Sequence, residues 1–468
     1  RAKRGDGSEH LGQPGKIVWF NLQGFIQEYL IKQFNENFFS LPKEEALRLY
    51  KRRIDNSLGK DAITYSHIEA LHDLGYLPLL IKALPEGVEV PYGVPPVTIK
   101  NTKKEFFWLT NFIETMMSAE LWGPCTSATT ALSYRRVFEH YAKVTGTPID
   151  FVKWQGHDFS MRGMFGVQAS AMSGAGHLLV FTGTDTIPAI DYLEQYYGAD
   201  CEKELIGGSV AASEHSIMAV GSPEGELETF RHLLEDVYPT GILSVVSDTW
   251  DLWKVLTEYL PALKEKILAR NGKLVIRPDS GIPEKIVCGD PSYPEGSPQR
   301  KGVIQLLWDV FGGTVTSTGH KMLDSHVGCI YGDGISPQRQ ISILQGLADN
   351  GFASGNIVLG LGSFTYQYTT RDTDGWAMKA TWGFTTSRGA VEIFKKPVTD
   401  DGGKTSAKGL LRVDKVNGQY VLKQCVSADE ELGGELEPVF LNGKLVKFQT
   451  LAQIRENVEK ALRDGSVA

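Results

Sequence analysis

The chain has 468 residues, enough for two or three hydrophobic cores, and its 42% apolar and 22% charged content is that of an ordinary globular protein. A formal net charge of −8 argues against general nucleic-acid binding, and no run approaches the apolar length of a membrane span. Five cysteines, scattered and odd in number, show no metal-ligand or disulfide-framework spacing, and no signal peptide opens the chain, so a reducing cytoplasm is the expected setting.

In chain order, residues 1–16 are polar and Gly-rich and read as loop. Residues 17–39 predict a largely apolar helix. Pro42-Lys43-Glu44-Glu45-Ala46 opens a second with Pro in its first turn, and residues 67–84 predict a third, ended by Pro85-Glu86-Gly87. Short strands are expected over 88–91 and 96–99. An aromatic-rich helix over 106–121 carries Phe106, Phe107, Trp108 and Phe112, a stripe suited to a core or a dimer face, and a separate helix covers 126–144.

Over 151–375 the texture becomes a rhythm of short apolar runs ending in polar or Gly residues. Phe151-Val152-Lys153-Trp154 leads to His157-Asp158-Phe159-Ser160, and His177-Leu178-Leu179-Val180-Phe181 to Thr184-Asp185-Thr186. Val210-Ala211-Ala212 leads to Glu214-His215-Ser216, and Leu243-Ser244-Val245-Val246 to Ser247-Asp248-Thr249. Leu274-Val275-Ile276 leads to Arg277-Pro278-Asp279-Ser280-Gly281, where Pro278 and Gly281 fix the turn that holds Arg277 and Asp279. Val327-Gly328-Cys329-Ile330 precedes Gly332-Asp333-Gly334, and Ile357-Val358-Leu359 precedes Gly360-Leu361-Gly362-Ser363. Strand–helix alternation with polar strand ends predicts an α/β fold, a (β/α) barrel-like catalytic domain with its site at the strand tips.

After 376, Asn417-Gly418 and Asn442-Gly443 between alternating runs signal hairpins, and a last helix is expected over 450–463. Residues 1–150 and 376–468 thus read as two parts of a second, α+β domain built from both chain ends.

Glycines in the two last strand-end loops let backbone N–H groups approach phosphate oxygens, and Arg371 lies eight residues after Ser363, placed to close on the same anion. Lys379, Lys395, Lys396, Lys404 and Lys408 make the following segment basic. His215 reads as a core histidine, a base or a phospho-acceptor; His157 and Asp158 read as orienting each other. Phe159 offers a face to a flat ring, and Asp185 an acceptor-only carboxylate at the same mouth.

These strand-end stretches, including His157-Asp158-Phe159-Ser160-Met161-Arg162-Gly163 and Ser247-Asp248-Thr249-Trp250-Asp251, resemble the nicotinamide phosphoribosyltransferases, a type II phosphoribosyltransferase family. Order and spacing agree from about residue 17 onward, with Trp108-Leu109-Thr110-Asn111 and Phe394-Lys395-Lys396-Pro397-Val398 also shared. The resemblance implies a homodimer with active sites at the subunit interface. It would join nicotinamide to phosphoribosyl pyrophosphate in NAD salvage, giving nicotinamide mononucleotide and pyrophosphate with Mg²⁺.

By the family pattern Phe159 stacks on the pyridine, Asp185 accepts from the carboxamide, Arg277 lies near the amide and ribose, and Asp279 binds ribose hydroxyls or the metal. Gly332, Asp333, Gly362 and Ser363 hold the ribose and 5′-phosphate, and Arg162 and Arg371 the phosphates. Ser209, Asp248, Lys379 and Lys395 complete the substrate-binding set. His215 resembles a histidine phosphorylated by ATP, which makes ATP an expected co-substrate; with Asp279 and Arg277 it forms the catalytic set. A nicotinate carboxylate would face that of Asp185, so the amide is the expected substrate.

Two departures stand out. No counterpart of the family's Asp-x-Tyr-Lys segment, whose Tyr stacks on the pyridine from the partner subunit, precedes Lys16; either that segment lies outside this chain or the site holds half an aromatic sandwich. Ala377 stands where the family has Ser, and Ser363 where it has Gly. A nicotinate phosphoribosyltransferase and a non-catalytic dimeric binding or signalling protein on the same fold are the alternatives.

Overall fold

A computed structural model of the chain describes residues 15–395 and 406–465. Most of the loop expected over 1–16, together with Lys396, Pro397, Val398 and Lys404, lies outside the described residues.

Seven parallel strands form the centre: β1 (Gly156–Asp158), β2 (Gly183–Thr184), β3 (Ala211–Ala212), β4 (Gly241–Val246), β5 (Gly272–Arg277), β6 (Val327–Tyr331) and β7 (Ile357–Leu361). Their spatial order is β2-β1-β7-β6-β5-β4-β3, so the last strand pairs with the first and the rest follow the chain. The two edges meet just before β3. Gly183 and Gly208 form a parallel bridge there, with Thr184 N–H donating to Gly208 O at 2.9 Å and Gly208 N–H to Thr182 O at 2.8 Å. The expected α/β class and barrel-like parallel sheet are what the chain adopts. Because the strands are parallel, every polar strand end opens on one side.

Five of the seven apolar runs coincide with barrel strands, and two do not. Phe151 ends a short 3-10 turn and Val152–Gln155 is helical; the strand is the Gly-His-Asp stretch that follows. His177 and Leu178 end the helix Val167–Leu178, and the strand is Gly183–Thr184. Short apolar runs fit a buried helical turn as well as a strand. The true strands carry glycine because rings occupy the space beside them. A Cβ on Gly156 would lie 2.8 Å from the Phe181 ring, and one on Gly183 would lie 2.7 Å from His157 Nδ1.

The chain ends share a four-stranded antiparallel sheet in the order Lys444–Leu445, Glu437–Leu441, Leu79–Ala83, Val97–Asn101. The helix expected over 67–84 stops earlier, at Leu74, where Gly75 takes a left-handed conformation (φ 77°), and the remainder is the strand Leu79–Ala83. Likewise the expected 17–39 helix begins as the strand Lys16–Val18, paired with Glu89–Pro91, before turning helical at Leu22. Pro42 precedes its helix, Lys43–Leu58, as the cap rather than sitting in the first turn.

The two helices expected over 106–144 are one, Leu109–Thr145, with Pro124 inside it. This helix crosses Val167–Leu178 closely: a Cβ on Gly176 would lie 2.7 Å from the Pro124 carbonyl oxygen. The aromatic stripe before it divides, Phe106 being buried while Phe107 and Phe112 are 73% and 49% exposed. One cluster of buried apolar side chains runs from Ile17 through the barrel to Leu462. No helix among the described residues is long and apolar enough to cross a membrane.

Candidate active site

The strand ends build a mouth with an aromatic floor and a charged rim. Phe159 leaves β1 with its N–H bonded to Leu361 O of β7 at 3.0 Å, and its ring lies over two glycines. A Cβ on Gly332 would sit 2.8 Å from the ring, and one on Gly360 would sit 2.3 Å from it. These glycines are therefore required by the Phe159 ring itself. That demand was hidden in the sequence, where they read only as phosphate-loop glycines. Asp279 reaches the same place, its Oδ1 being 3.7 Å from the Cβ position of Gly332.

Asp185 follows β2. Its Oδ1 accepts from His157 Nε2 at 2.8 Å and from Ser209 Oγ at 2.6 Å. Burial pushes its pKa up, but the His157 contact, Ser209 and the nearby Arg277 outweigh that and hold the carboxyl below its ordinary value. His157 thus orients Asp185 and not Asp158, because neighbours in a strand point to opposite faces. Asp158 is fully buried, with Oδ1 capping Ser160 N–H at 2.9 Å.

Arg277 ends β5. Its Nη2 donates to Ser213 O at 2.7 Å, and its Nε is buried without a partner among the described residues. Burial lowers its pKa; Asp279, Asp185 and Asp248 work against that, and Arg162 reinforces it, so three carboxylates and a second cation lie near enough to act on Arg277. Asp248 Oδ2 accepts from Asp279 N–H at 2.9 Å, while its Oδ1 is buried without a partner among the described residues. His215, half-exposed at the start of a short helix, has Nδ1 3.1 Å from Thr249 Oγ1 and Nε2 3.8 Å from Asp279 Oδ2.

Ser363 lies against the loop after β1: a Cβ on Gly163 would be 2.1 Å from Ser363 Oγ, so Arg162 and Ser363 adjoin. Gly362 and Asp333 border the same opening, at the ends of β7 and β6. Arg371 is exposed and pairs with its neighbour Asp372 at 3.1 Å. Lys379 and Lys395 are exposed on the segment after the barrel, and Lys395 bonds through its backbone to Ser406. Among the described residues, the contacts that assemble the mouth do not include these three cations.

Sequence reading missed the supporting residues. Ser213 Oγ accepts from Val246 N–H at 3.0 Å while its carbonyl receives Arg277, and Tyr331 Oη donates to Ser280 O at 2.9 Å, pinning the loop that carries Asp279. Both lie at strand ends already marked as functional, and that position was the one available signal.

A parallel barrel that gathers an aromatic ring, carboxylates and guanidinium groups at its strand tips is arranged as an enzyme site, and the relatives of this chain make it a pentosyltransferase. The sequence profile of the nicotinate phosphoribosyltransferase (NAPRTase) family matches residues 154–444, and the chain belongs to that family. It is 54% identical over 453 residues to a nicotinamide phosphoribosyltransferase of Acinetobacter baylyi, covering 96% of this chain and 89% of that one. It is 38% identical to a nicotinamide phosphoribosyltransferase of Mycoplasma pneumoniae, over 72% and 73% of the two chains. Among solved structures, that of a nicotinate-nucleotide pyrophosphorylase from Pyrococcus furiosus shares the fold, with a TM-score of 0.51 at 17% identity over 84% of this chain and 82% of that one.

Proposed function

We propose that the protein transfers the phosphoribosyl group of phosphoribosyl pyrophosphate to nicotinamide, releasing pyrophosphate. The observation that carries the choice of substrate is Asp185: both of its donors land on Oδ1, which leaves Oδ2 to accept from a carboxamide beside the Phe159 ring. An ionised carboxylate there repels nicotinate and welcomes an N–H donor.

The reaction breaks the C1–O bond to pyrophosphate and forms a C1–N bond to the pyridine nitrogen. Positive charge grows on the ribose and negative charge on the leaving group. Asp279 and Asp248 are the carboxylates for the ribose side, Arg277 lies beside the amide and ribose, and Arg162 is a cation for the phosphates. The Phe159 floor fixes the ring plane and so the line of attack.

Asp279 and Asp248 offer the hard oxygens that Mg²⁺ prefers, and the buried, unpartnered Oδ1 of Asp248 fits such a role. No group of three or more His, Cys, Asp or Glu among the described residues is set to hold an ion by itself. When bound, Mg²⁺ would supply charge neutralisation at the leaving pyrophosphate.

His215, exposed beside Asp279, is the group for phosphorylation by ATP. A homodimer is supported by an apolar rim near the mouth, where Phe165 is 88% and Tyr368 81% exposed and the Phe364 and Tyr368 rings stack at 5.3 Å. The scattered cysteines suit a cytoplasmic setting.

Incubation with phosphoribosyl pyrophosphate and either nicotinamide or nicotinate, with and without ATP, tests the proposal. Mononucleotide and pyrophosphate should form from nicotinamide, faster with ATP, and His215→Ala should lose the ATP stimulation while keeping basal synthesis. Turnover of nicotinate alone, or of neither, would overturn it.

A further inference from the structure

His157 touches both groups that hold the ring. Its Nε2 lies 2.8 Å from Asp185 Oδ1, and its ring centroid lies 4.7 Å from that of Phe159, tilted by 52°. An ionised carboxylate only accepts, so the nitrogen facing Asp185 carries the hydrogen and Nε2–H is the donor. The imidazole is 8% exposed and has no room to turn away. Its other nitrogen faces Gly183, where even a Cβ would come within 2.7 Å. Ser209 supplies the second donor to Asp185 from the exposed segment just before β3.

We infer that His157 is the positioning residue for the pyridine amide, setting in one rigid contact both the rotamer of Asp185 and the tilt of Phe159. Its Nε2–H occupies Oδ1 and turns Oδ2 toward the mouth, and its ring edge props the Phe159 face at the angle the substrate stacks on. Sequence reading gave His157 a structural pairing with Asp158; the geometry gives it the amide subsite. The inference rests on the proposed function, since it presumes a carboxamide substrate.

Two variants of the full chain test it, compared with the parent in the same assay. His157→Ala removes donor and prop together. It should raise the KM for nicotinamide about tenfold or more while leaving the KM for phosphoribosyl pyrophosphate and kcat within about threefold. His157→Gln retains an N–H that reaches Asp185. It should recover most of the loss in nicotinamide KM and keep the preference for amide over acid. A variant that merely loosened the barrel would move both KM values and kcat together and would not be rescued by Gln. An unchanged nicotinamide KM in His157→Ala would overturn the inference. So would a parallel rise in both substrates' KM values, or a Gln variant no better than Ala. Absence of mononucleotide from the parent would instead strike the proposed function, so the two failures are told apart by the parent's own activity.

Discussion

Phe159 and Gly332 behave as one unit. The ring can lie across the mouth only because Gly332 and Gly360 have no side chains, and a methyl at Gly332 would start 2.8 Å from it. Gly332→Ala should therefore mimic Phe159→Ala. Each should raise the KM for nicotinamide by an amount equivalent to about 1–3 kcal/mol, the usual worth of a base–aromatic stack. Steady-state kinetics check this, and a Gly332→Ala enzyme with parental KM would show that the ring does not depend on that glycine. At this scale much of the site was legible. Phe159, Asp185, Asp248, Arg277 and Asp279 all fall at strand ends, where polar residues after an apolar run have few other reasons to cluster. What stayed hidden were relations across the barrel: His157 with Asp185, 28 positions apart, and Phe159 with the glycine of a strand far along the chain. Spacing along the sequence carries no information about such contacts.

Among the elements, the last helix (Leu451–Gly465) is tied to the barrel through the guanidinium of Arg455. Arg455 donates through Nε and Nη2 to Leu178 O at 2.9 and 2.7 Å, through Nη1 to Leu205 O at 2.9 Å, and through Nη2 to Ile206 O. It thereby satisfies the end of the Val167–Leu178 helix that backs the mouth. Arg455→Ala leaves those carbonyls unpaired and should cost about 2–4 kcal/mol of stability, read as a lower midpoint in urea; a change within error would contradict that role.

A second tie carries a charge. Glu86 is buried and accepts from Asn21 N–H at 3.0 Å, Gln23 N–H at 2.7 Å and Tyr197 Oη at 2.9 Å. Burial nevertheless pushes its pKa up to about 7, the hydrogen bonds only partly offsetting it. A carboxyl with a folded pKa above its unfolded value takes up a proton on folding between the two. Its contribution to stability is thus greatest at acid pH and falls as pH rises toward about 7. Glu86→Gln should flatten the dependence of Tm on pH across that window; an unchanged slope would rule the group out.

Hairpins were readable because their chemistry is local: Asn417 and Gly418, like Asn442 and Gly443, both take positive φ, as a type I′ turn demands. The strand Leu79–Ala83 was misread because apolar density resembles helical periodicity when the stop signal, Gly75, goes unweighed.

For the whole molecule, β7 closes on β1, so the first and last strand ends of a 200-residue excursion face one another, Leu361 holding Phe159. Strand–helix alternation announces a parallel sheet, but the closure comes from pairings that no local pattern encodes. Closure is what puts the Phe159 ring, the Asp185 carboxylate and the Arg277 guanidinium into one opening. If Asp185 is the group that tells an amide from an acid there, its charge sets the enzyme's choice. The most direct measurement is the ratio of kcat/KM for nicotinamide to that for nicotinate, in the parent and in Asp185→Asn. Removing the repulsive carboxylate should lower that ratio by about two orders of magnitude, chiefly by admitting nicotinate. A ratio unchanged by the substitution would contradict the account.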